Sequence, residues 1–410
     1  MAARLETSAP PRALYLITSS ISLTLLRGQI GFLRQRGFDV YVACSPGPEV
    51  AMGSEFEGAP LLAIPMRREI APLRDFISLW RVWRLIQQLK PDLVNVSTPK
   101  AGLLGGVAAW LARVPCRIYV MRGLRVEGAT GFHRIILFAT EWLACHTAQR
   151  VFCVSASLMH RAVELGVVEA ERCAVLGPGS SNGVDLGALA SSRANLARAA
   201  ELRRQWGAPP QAPVIGFIGR CTADKGIAEL IAAYSIARQR YPELRLLIAG
   251  NREELDPRLR RRCQADPHVI YCDQFVTDTA PLYHAMGFLV LPTHREGFPN
   301  VILEAHAAGK AVISTRVTGV VDAVEDGVSG LLVRAGDVPE LAEAMLRLLE
   351  DPEVARRMGE AGRRRSEAEF PRERIWQALE REYVYELVRR GLPLPHCYAM
   401  QAASAGVKGD

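Results

Sequence analysis

PVIGFIGRCTADKGIAELIAAYSIA, residues 213–237, contains a complete strand, turn and helix. PVIGFIG reads as a buried strand, because its apolar run is short and ends on a glycine, and IAELIAAYSIA has helical spacing. Between them GRCTADKG (219–226) sets Gly219, then Arg220, then Lys225 just ahead of the helix. Unpaired N–H groups and the positive end of the helix dipole add to the two cations, so the turn suits an anion such as a diphosphate. An ordinary turn with a solvated arginine and lysine has the same spacing, and the motif alone leaves both readings open. It matches neither G-x-x-x-x-G-K-[ST] nor G-x-G-x-x-G, and Gly309-Lys310 is followed by Ala311, so P-loop and dinucleotide-dependent oxidoreductase readings lack their signatures.

The same rhythm extends in both directions. Strands are predicted at 13–18, 39–44, 61–66, 92–97, 116–121, 150–155 and 172–176, and again at 213–219, 244–250, 268–272, 287–292 and 310–315. Helix-length segments separate most of them, a β-α-β-α order that predicts parallel sheets covered on both faces. The polar, Ala/Arg-rich segment 186–210 breaks the rhythm and reads as a linker. The last third is helical at 338–351, 352–370 and 372–392, and the tail 393–410 has no periodicity and reads as loose. The expected fold class is α/β, with two Rossmann-like doubly wound domains at 1–185 and 206–371. Their cleft, at the carboxyl ends of the strands, is the expected ligand site.

Composition narrows the function classes. The chain has 410 residues, 49% hydrophobic and 23% charged, which fits two globular domains rather than a disordered chain. No apolar stretch reaches the length of a membrane-spanning helix, and the N-terminal apolar run is too short for a signal peptide, so a cytoplasmic location is expected. Nine cysteines without a C-x-x-C pair fit free thiols better than disulfides or a zinc site. Residues 1–185 hold 20 Lys/Arg against 14 Asp/Glu, a balance of +6 that leaves +1 for the remainder. The first half therefore faces an anionic partner or carries a solvated basic surface. No recognition motif or aromatic-interleaved basic run supports nucleic acid as that partner.

A second stretch, REGFPNVILEAHAAG (295–309), follows the strand GFLVLP. Glu296 falls in the loop at the strand's carboxyl end and Glu304 about two turns into a helix begun near Pro299, where proline is well tolerated. That spacing suits gripping hydroxyls on two parts of one ligand, with the helix start adding further N–H donors. Glu304 reads equally as a solvated helix residue. His294, in THREGFPN, is the histidine nearest this loop and reads as a site liner rather than a base.

G-R-x-x-x-x-K-G (219–226), E-G-F-P-N-x-x-L-E-A (296–305) and TRVTGVVDAVEDGVSGLLVRAGD (315–337), in this order and spacing, resemble family-4 retaining glycosyltransferases of the GT-B fold. LITSSISLTLLRGQIGFLRQRGFDVYVACSPG (16–47), STPKAGLLGG (97–106), RGLRVEGATG (122–131) and GPGSSNGVD (177–185) are similar to the branch that builds bacterial capsule, O-antigen and exopolysaccharide units. The resemblance covers about residues 13–390. It implies that Arg220 and Lys225 bind the diphosphate of a nucleotide-sugar donor, that Glu304 holds the ribose, and that Glu296 contacts the transferred sugar. Gly219, Gly297, Phe298, Pro299, Asn300 and His294 would complete the donor site. It further implies that the first domain supplies the acceptor surface and that the helix 372–392 crosses back onto that domain.

Three departures stand out. Arg122 occupies a position where many members have a histidine that touches the donor sugar, Ser19-Ser20-Ile21-Ser22 replaces a Gly-Gly turn, and Asp322 replaces a glutamate. Ser19, Ser20, Lys100, Arg122 and Arg125 are candidate acceptor or sugar contacts, with Arg67 and Arg68 beside them. The helix FISLWRVWRLIQQLK (76–90) sets Phe76, Trp80, Trp83 and Ile86 on one face beside Arg81 and Arg84. Such a face packs on a sheet or rests at a membrane interface.

These readings converge on a retaining transferase that moves a hexose or N-acetylhexosamine from a nucleotide-diphosphate sugar, with UDP the expected nucleotide. The expected acceptor is a lipid-diphosphate-linked glycan, met at the cytoplasmic face of the inner membrane. No two aspartates lie two apart, so the D-x-D metal motif is absent, and neither a metal nor another cofactor is expected. The rivals are a GT-B-fold UDP-sugar epimerase, which needs no acceptor, and a non-catalytic nucleotide-sugar or glycan binder that partners a transferase.

Overall fold

Continuous apolar strands such as VIGFI and RLLIA, buried along their whole length, cannot show one face to water and so pair in parallel beneath helices. The computed structural model describes residues 9–47, 55–67, 71–251, 255–272 and 278–398. Two units result, Met1–Asn182 with Arg372–Asp410, and Gly183–Pro371.

The first unit holds β1 (Arg12–Ser19), β2 (Asp39–Ser45), β3 (Glu55–Phe56), β4 (Ala59–Ala63), β5 (Leu93–Ser97), β6 (Cys116–Met121), β7 (Arg150–Cys153) and β8 (Cys173–Val175). Their order across the sheet is β3-β4-β2-β1-β5-β6-β7-β8, parallel except for the β3–β4 pair. The second unit holds β9 (Val214–Ile218), β10 (Arg245–Ala249), β11 (Val269–Cys272), β12 (Phe288–Leu291), β13 (Ala311–Thr315) and β14 (Gly330–Val333), in the order β11-β10-β9-β12-β13-β14, all parallel. Counted within the unit this is 3-2-1-4-5-6, the doubly wound order whose direction reverses between its first and fourth strands. Ligands bind at that reversal, outside the carboxyl ends of the strands. In the second unit it lies between β9 and β12, and in the first between β1 and β5.

Several elements depart from expectation. β14 was not anticipated, since GLLV is short and begins on glycine. β4 begins and ends earlier than the expected 61–66. The segment read as a linker is helical, at Leu186–Leu189 and Arg193–Gln205, and belongs to the second unit. Asp185 and Ser192 cap these helices through their side chains, accepting from Ala188 and Asn195 N–H groups.

The tail is not loose through its first residues. Cys397 Sγ reaches the Arg36 carbonyl at 3.3 Å, and the Arg36 guanidinium lies 5.8 Å from the Tyr398 ring centre. Residues 399–410 lie outside the described residues.

The final helix, Arg372–Arg389, packs within the first unit. Tyr383 OH meets Tyr15 OH at 2.7 Å and accepts from Asn95 Nδ2, while Trp376 Nε1 donates to Asn182 Oδ1 at 2.7 Å. The helix Pro72–Leu89 buries Ser78, Val82 and Ile86, but not the whole Phe76/Trp80/Trp83/Ile86 stripe. Phe76 stays 72% exposed and Trp80 49%.

Candidate functional site

In the second unit the turns after β9 and β12 meet at the switch point. Gly219 (φ +152°) directly follows β9, and Gly226 (φ +69°), in the left-handed region, is the N-cap of the helix Ile227–Arg240. A Cβ on Gly226 would lie 1.9 Å from the Pro292 carbonyl oxygen, so only glycine lets the two turns approach. Gly319 (φ +78°) does the same farther along, since its Cβ would lie 2.2 Å from the Gly297 carbonyl oxygen.

The close approach joins charges distant in sequence. Lys225 donates to Glu296 Oε1, and both side chains are mostly buried. Arg220 is exposed, with its guanidinium 3.4 Å from Asp224 Oδ2, and Arg295 reaches the same oxygen at 3.1 Å. Asp224 also accepts from Thr222 through Oδ1, while its carbonyl takes the His294 N–H at 2.9 Å and the Thr293 hydroxyl at 3.0 Å. Burial works against ionising Asp224. The Thr222 hydrogen bond and the charges of Arg220, Arg295 and Lys225 outweigh it and hold the carboxyl below its ordinary range.

Glu304 lies on the helix Asn300–Ala307, where Oε2 accepts from Tyr283 OH at 2.9 Å and Thr279 at 3.3 Å. Its orientation is thus fixed by a buried tyrosine rather than left to solvent. Phe298 is buried against Phe370, ring centres 5.5 Å apart, which anchors the Gly297–Pro299 turn ahead of Asn300. His294 is directed to Glu229 at 2.8 Å, on the neighbouring helix.

Of the residues expected here, Arg220, Lys225, Glu296, Gly219, Gly297, Phe298, Pro299 and Asn300 fall on the two turns or the helix start they open. Glu304 is held one turn deeper along that helix. Asp224 and Arg295 were missed, although both lie within stretches already singled out. The signal was an acid between two cations in one motif and a further cation beside Glu296 in the other.

The first unit sets its candidates around its own switch point. Ser19 ends β1 and Ser20 follows it, and Thr98 follows β5 with φ +78°, a strained value for a β-branched residue. Thr98 Oγ1 meets Thr18 Oγ1 at 2.7 Å, which ties the two strand ends together. Lys100 is paired with Asp75 at 2.5 Å, both largely buried, so its charge is already balanced. Arg125 is exposed on a short 3-10 turn, Arg125–Gly128. Arg122 turns inward, and its guanidinium donates to the Ser181 carbonyl at 3.2 Å. Arg67 is exposed, and Arg68 lies outside the described residues.

Comparison with known proteins places the chain in a family. Residues 212–351 match the family described as Glycosyl transferases group 1, and residues 26–179 that described as Glycosyl transferase 4-like domain. The capsular polysaccharide biosynthesis glycosyltransferase CapM of Staphylococcus aureus is 36% identical over 374 residues, covering 90% of this chain and 96% of that protein. The UDP-Gal:alpha-D-GlcNAc-diphosphoundecaprenol alpha-1,3-galactosyltransferase of Escherichia coli is 26% identical over 293 residues, 69% of this chain and 73% of that protein. Among solved structures, Anabaena HepE in complex with UDP and glucose aligns at TM-score 0.74 and 21% identity, over 90% of this chain and 98% of that one.

Proposed function

The chain belongs to the glycosyltransferases that join a 4-like domain to a group 1 domain in the GT-B fold, and from that premise we propose that it is a retaining enzyme using a UDP-sugar donor and a lipid-diphosphate-linked glycan acceptor. The observation that carries this reading is the meeting of Arg220, Lys225, Glu296 and Glu304 around the β9/β12 switch point. Breaking a sugar–diphosphate bond leaves negative charge on the departing phosphate, and fixed cations with helix N–H groups are the means of stabilising it.

In this reading Lys225 and Arg220 take the diphosphate and Glu304 the ribose hydroxyls. Glu296, released from Lys225 as the phosphate arrives, turns to the transferred sugar. Asp224 gathers Arg220 and Arg295 onto one carboxylate oxygen beside the same turn. The cations supply the charge that a divalent ion would otherwise bring, so turnover is expected to be unchanged by EDTA.

The acceptor half of the proposal draws on the E. coli relative's lipid-diphosphate substrate and on the surface of the first unit. Leu73, Phe76 and Trp80 on one helix, with Phe132 and Ile135 on the helix Gly131–Thr147, are exposed beside Arg74, Arg81, Arg84 and Arg134. Apolar and aromatic side chains with arginines among them suit peripheral contact with an anionic lipid surface.

The test is incubation of the purified chain with UDP-hexoses and UDP-N-acetylhexosamines plus a polyprenyl-diphosphate glycan, with mass spectrometry and anomeric NMR of the lipid product. An α-linked extended lipid is expected. Release of an altered free sugar without acceptor would favour the epimerase instead, and absence of any turnover the non-catalytic binder.

A further inference from the structure

Thr293, two residues past the end of β12, is 0% exposed. Its hydroxyl lies 3.0 Å from the carbonyl oxygen of Asp224 and 3.1 Å from that of Arg295. A threonine hydroxyl has one proton to donate, and here two carbonyls share it at nearly equal distance. Those carbonyls belong to the peptide groups that lead directly into Lys225 and Glu296. One buried side chain thus ties the backbone that carries the cation to the backbone that carries the carboxylate.

The tie is itself held in place. The Thr293 carbonyl accepts from the hydroxyl of Thr315, the last residue of β13, which is 1% exposed. The Asp224 carbonyl takes a second bond from the His294 N–H at 2.9 Å, which uses both of its lone pairs. The Pro292 carbonyl, one residue before Thr293, is the atom that a Cβ on Gly226 would meet. That contact limits how closely the two turns approach, and the Thr293 hydroxyl fixes their register.

Bulk water cannot stand in for a hydroxyl this buried. Its loss would leave the Asp224 and Arg295 carbonyls without their shared donor, and the turns would shift to find others. A hydroxyl that merely completed backbone hydrogen bonding would stabilise the unit without bearing on any one ligand group. One that holds Lys225 in place matters to whatever Lys225 binds, since displacing a binding group by about 1 Å can cost up to about 100-fold.

We propose that Thr293 is a positioning residue for the donor: by holding the Asp224 and Arg295 carbonyls on one proton, it sets the Lys225 ammonium where the diphosphate binds. It acts through Lys225 rather than by touching the nucleotide. The inference rests on the donor reading proposed above.

Calorimetry of the full chain with UDP, run as double-mutant cycles, tests this. Thr293→Val, which nearly keeps the shape and deletes the hydroxyl, should weaken UDP binding about three- to tenfold, less than Lys225→Ala does. Thr293→Ser should restore it to within about twofold of wild type, because the hydroxyl returns. In a Lys225→Ala background Thr293→Val should cost less than about twofold, and in a Glu304→Ala background its full factor, because only Lys225 carries its effect. Thr293→Ala takes its place in both cycles if the valine variant does not fold. Wild-type UDP affinity in Thr293→Val, or equal losses in the two backgrounds, overturns the proposal and leaves the donor reading standing. UDP affinity undiminished in Lys225→Ala overturns the donor reading, and this inference with it.

Discussion

Lys225 and Glu296, 71 positions apart, form a hydrogen-bonded ion pair whose side chains are 17% and 13% exposed. Each stands on the turn after one of the two strands that flank the reversal of the second sheet. The pair therefore sets a cation and a carboxylate, each balancing the other, at the place where a doubly wound fold takes its ligand.

Replacing Lys225 by alanine should lower kcat/KM by about 10²–10³, the range expected when one preorganised group facing developing negative charge is removed. Glu296→Gln should behave differently. It frees Lys225 from its competitor, so UDP should bind as tightly as in wild type or more so, while turnover falls. Calorimetry with UDP beside steady-state kinetics separates the two, and weakened UDP binding in Glu296→Gln would contradict the roles assigned.

Glu304 is oriented by the Tyr283 hydroxyl at 2.9 Å. Glu304→Ala should weaken UDP binding by about 10–100-fold, the worth of hydrogen bonds to a charged group. Tyr283→Phe removes only the orienting bond, and donor KM should rise several-fold with kcat little changed. If both variants bound UDP normally, Glu304 would be a structural helix residue.

Two buried groups give the units opposite responses to pH. Burial raises Glu141, which accepts from Tyr119 OH at 2.6 Å, to about 7, and lowers His306, hydrogen-bonded to the Ser329 carbonyl, to about 4. The stability Glu141 contributes to the first unit is complete below the ordinary carboxyl range and is lost as pH rises through 7. That of His306 in the second unit is complete above the ordinary histidine value and is lost as pH falls from about 6.5 through 4. Urea midpoints between pH 4.5 and 6.5 should thus climb more steeply with pH in Glu141→Gln than in wild type, and less steeply in His306→Gln, by at most about 1.4 kcal/mol per pH unit each.

The final helix should be integral to the first unit. Trp376 is 8% exposed, with its ring 5.6 Å from Phe32 and its N–H on Asn182. Trp376→Ala should cost about 3–5 kcal/mol. Trp376→Phe, which leaves the Asn182 oxygen unmatched, should cost about 1–3 kcal/mol. Chemical denaturation measures both, and a negligible effect of the alanine change would mean that the helix merely rests on the unit.

Most of the fold was legible because parallel strands buried on both faces leave continuous apolar runs, as in RALYLITS and VIGFI. GLLV was not, being short and stabilised by its neighbour β13 rather than by its own propensity. The helices at 186–205 were hidden by polar composition, although Asp185 and Ser192 are recognisable N-caps. Around the site, spacing and resemblance indicated Lys225, Arg220, Glu296 and Glu304. Asp224, Arg295 and Tyr283 act through contacts that form only when turns from two strands approach, and sequence spacing does not report such approach. Nor did it report that Lys100 is neutralised by Asp75, or that Arg122 points inward.

The central claim is that the β9/β12 switch point binds a nucleotide diphosphate. Isothermal calorimetry of UDP with the wild type, Lys225→Ala and Glu304→Ala tests it most directly. One saturable site in the wild type, weakened at least tenfold in both variants while their melting temperatures stay within a few degrees, is the predicted result. UDP binding undiminished in both variants would place the nucleotide elsewhere and contradict the account.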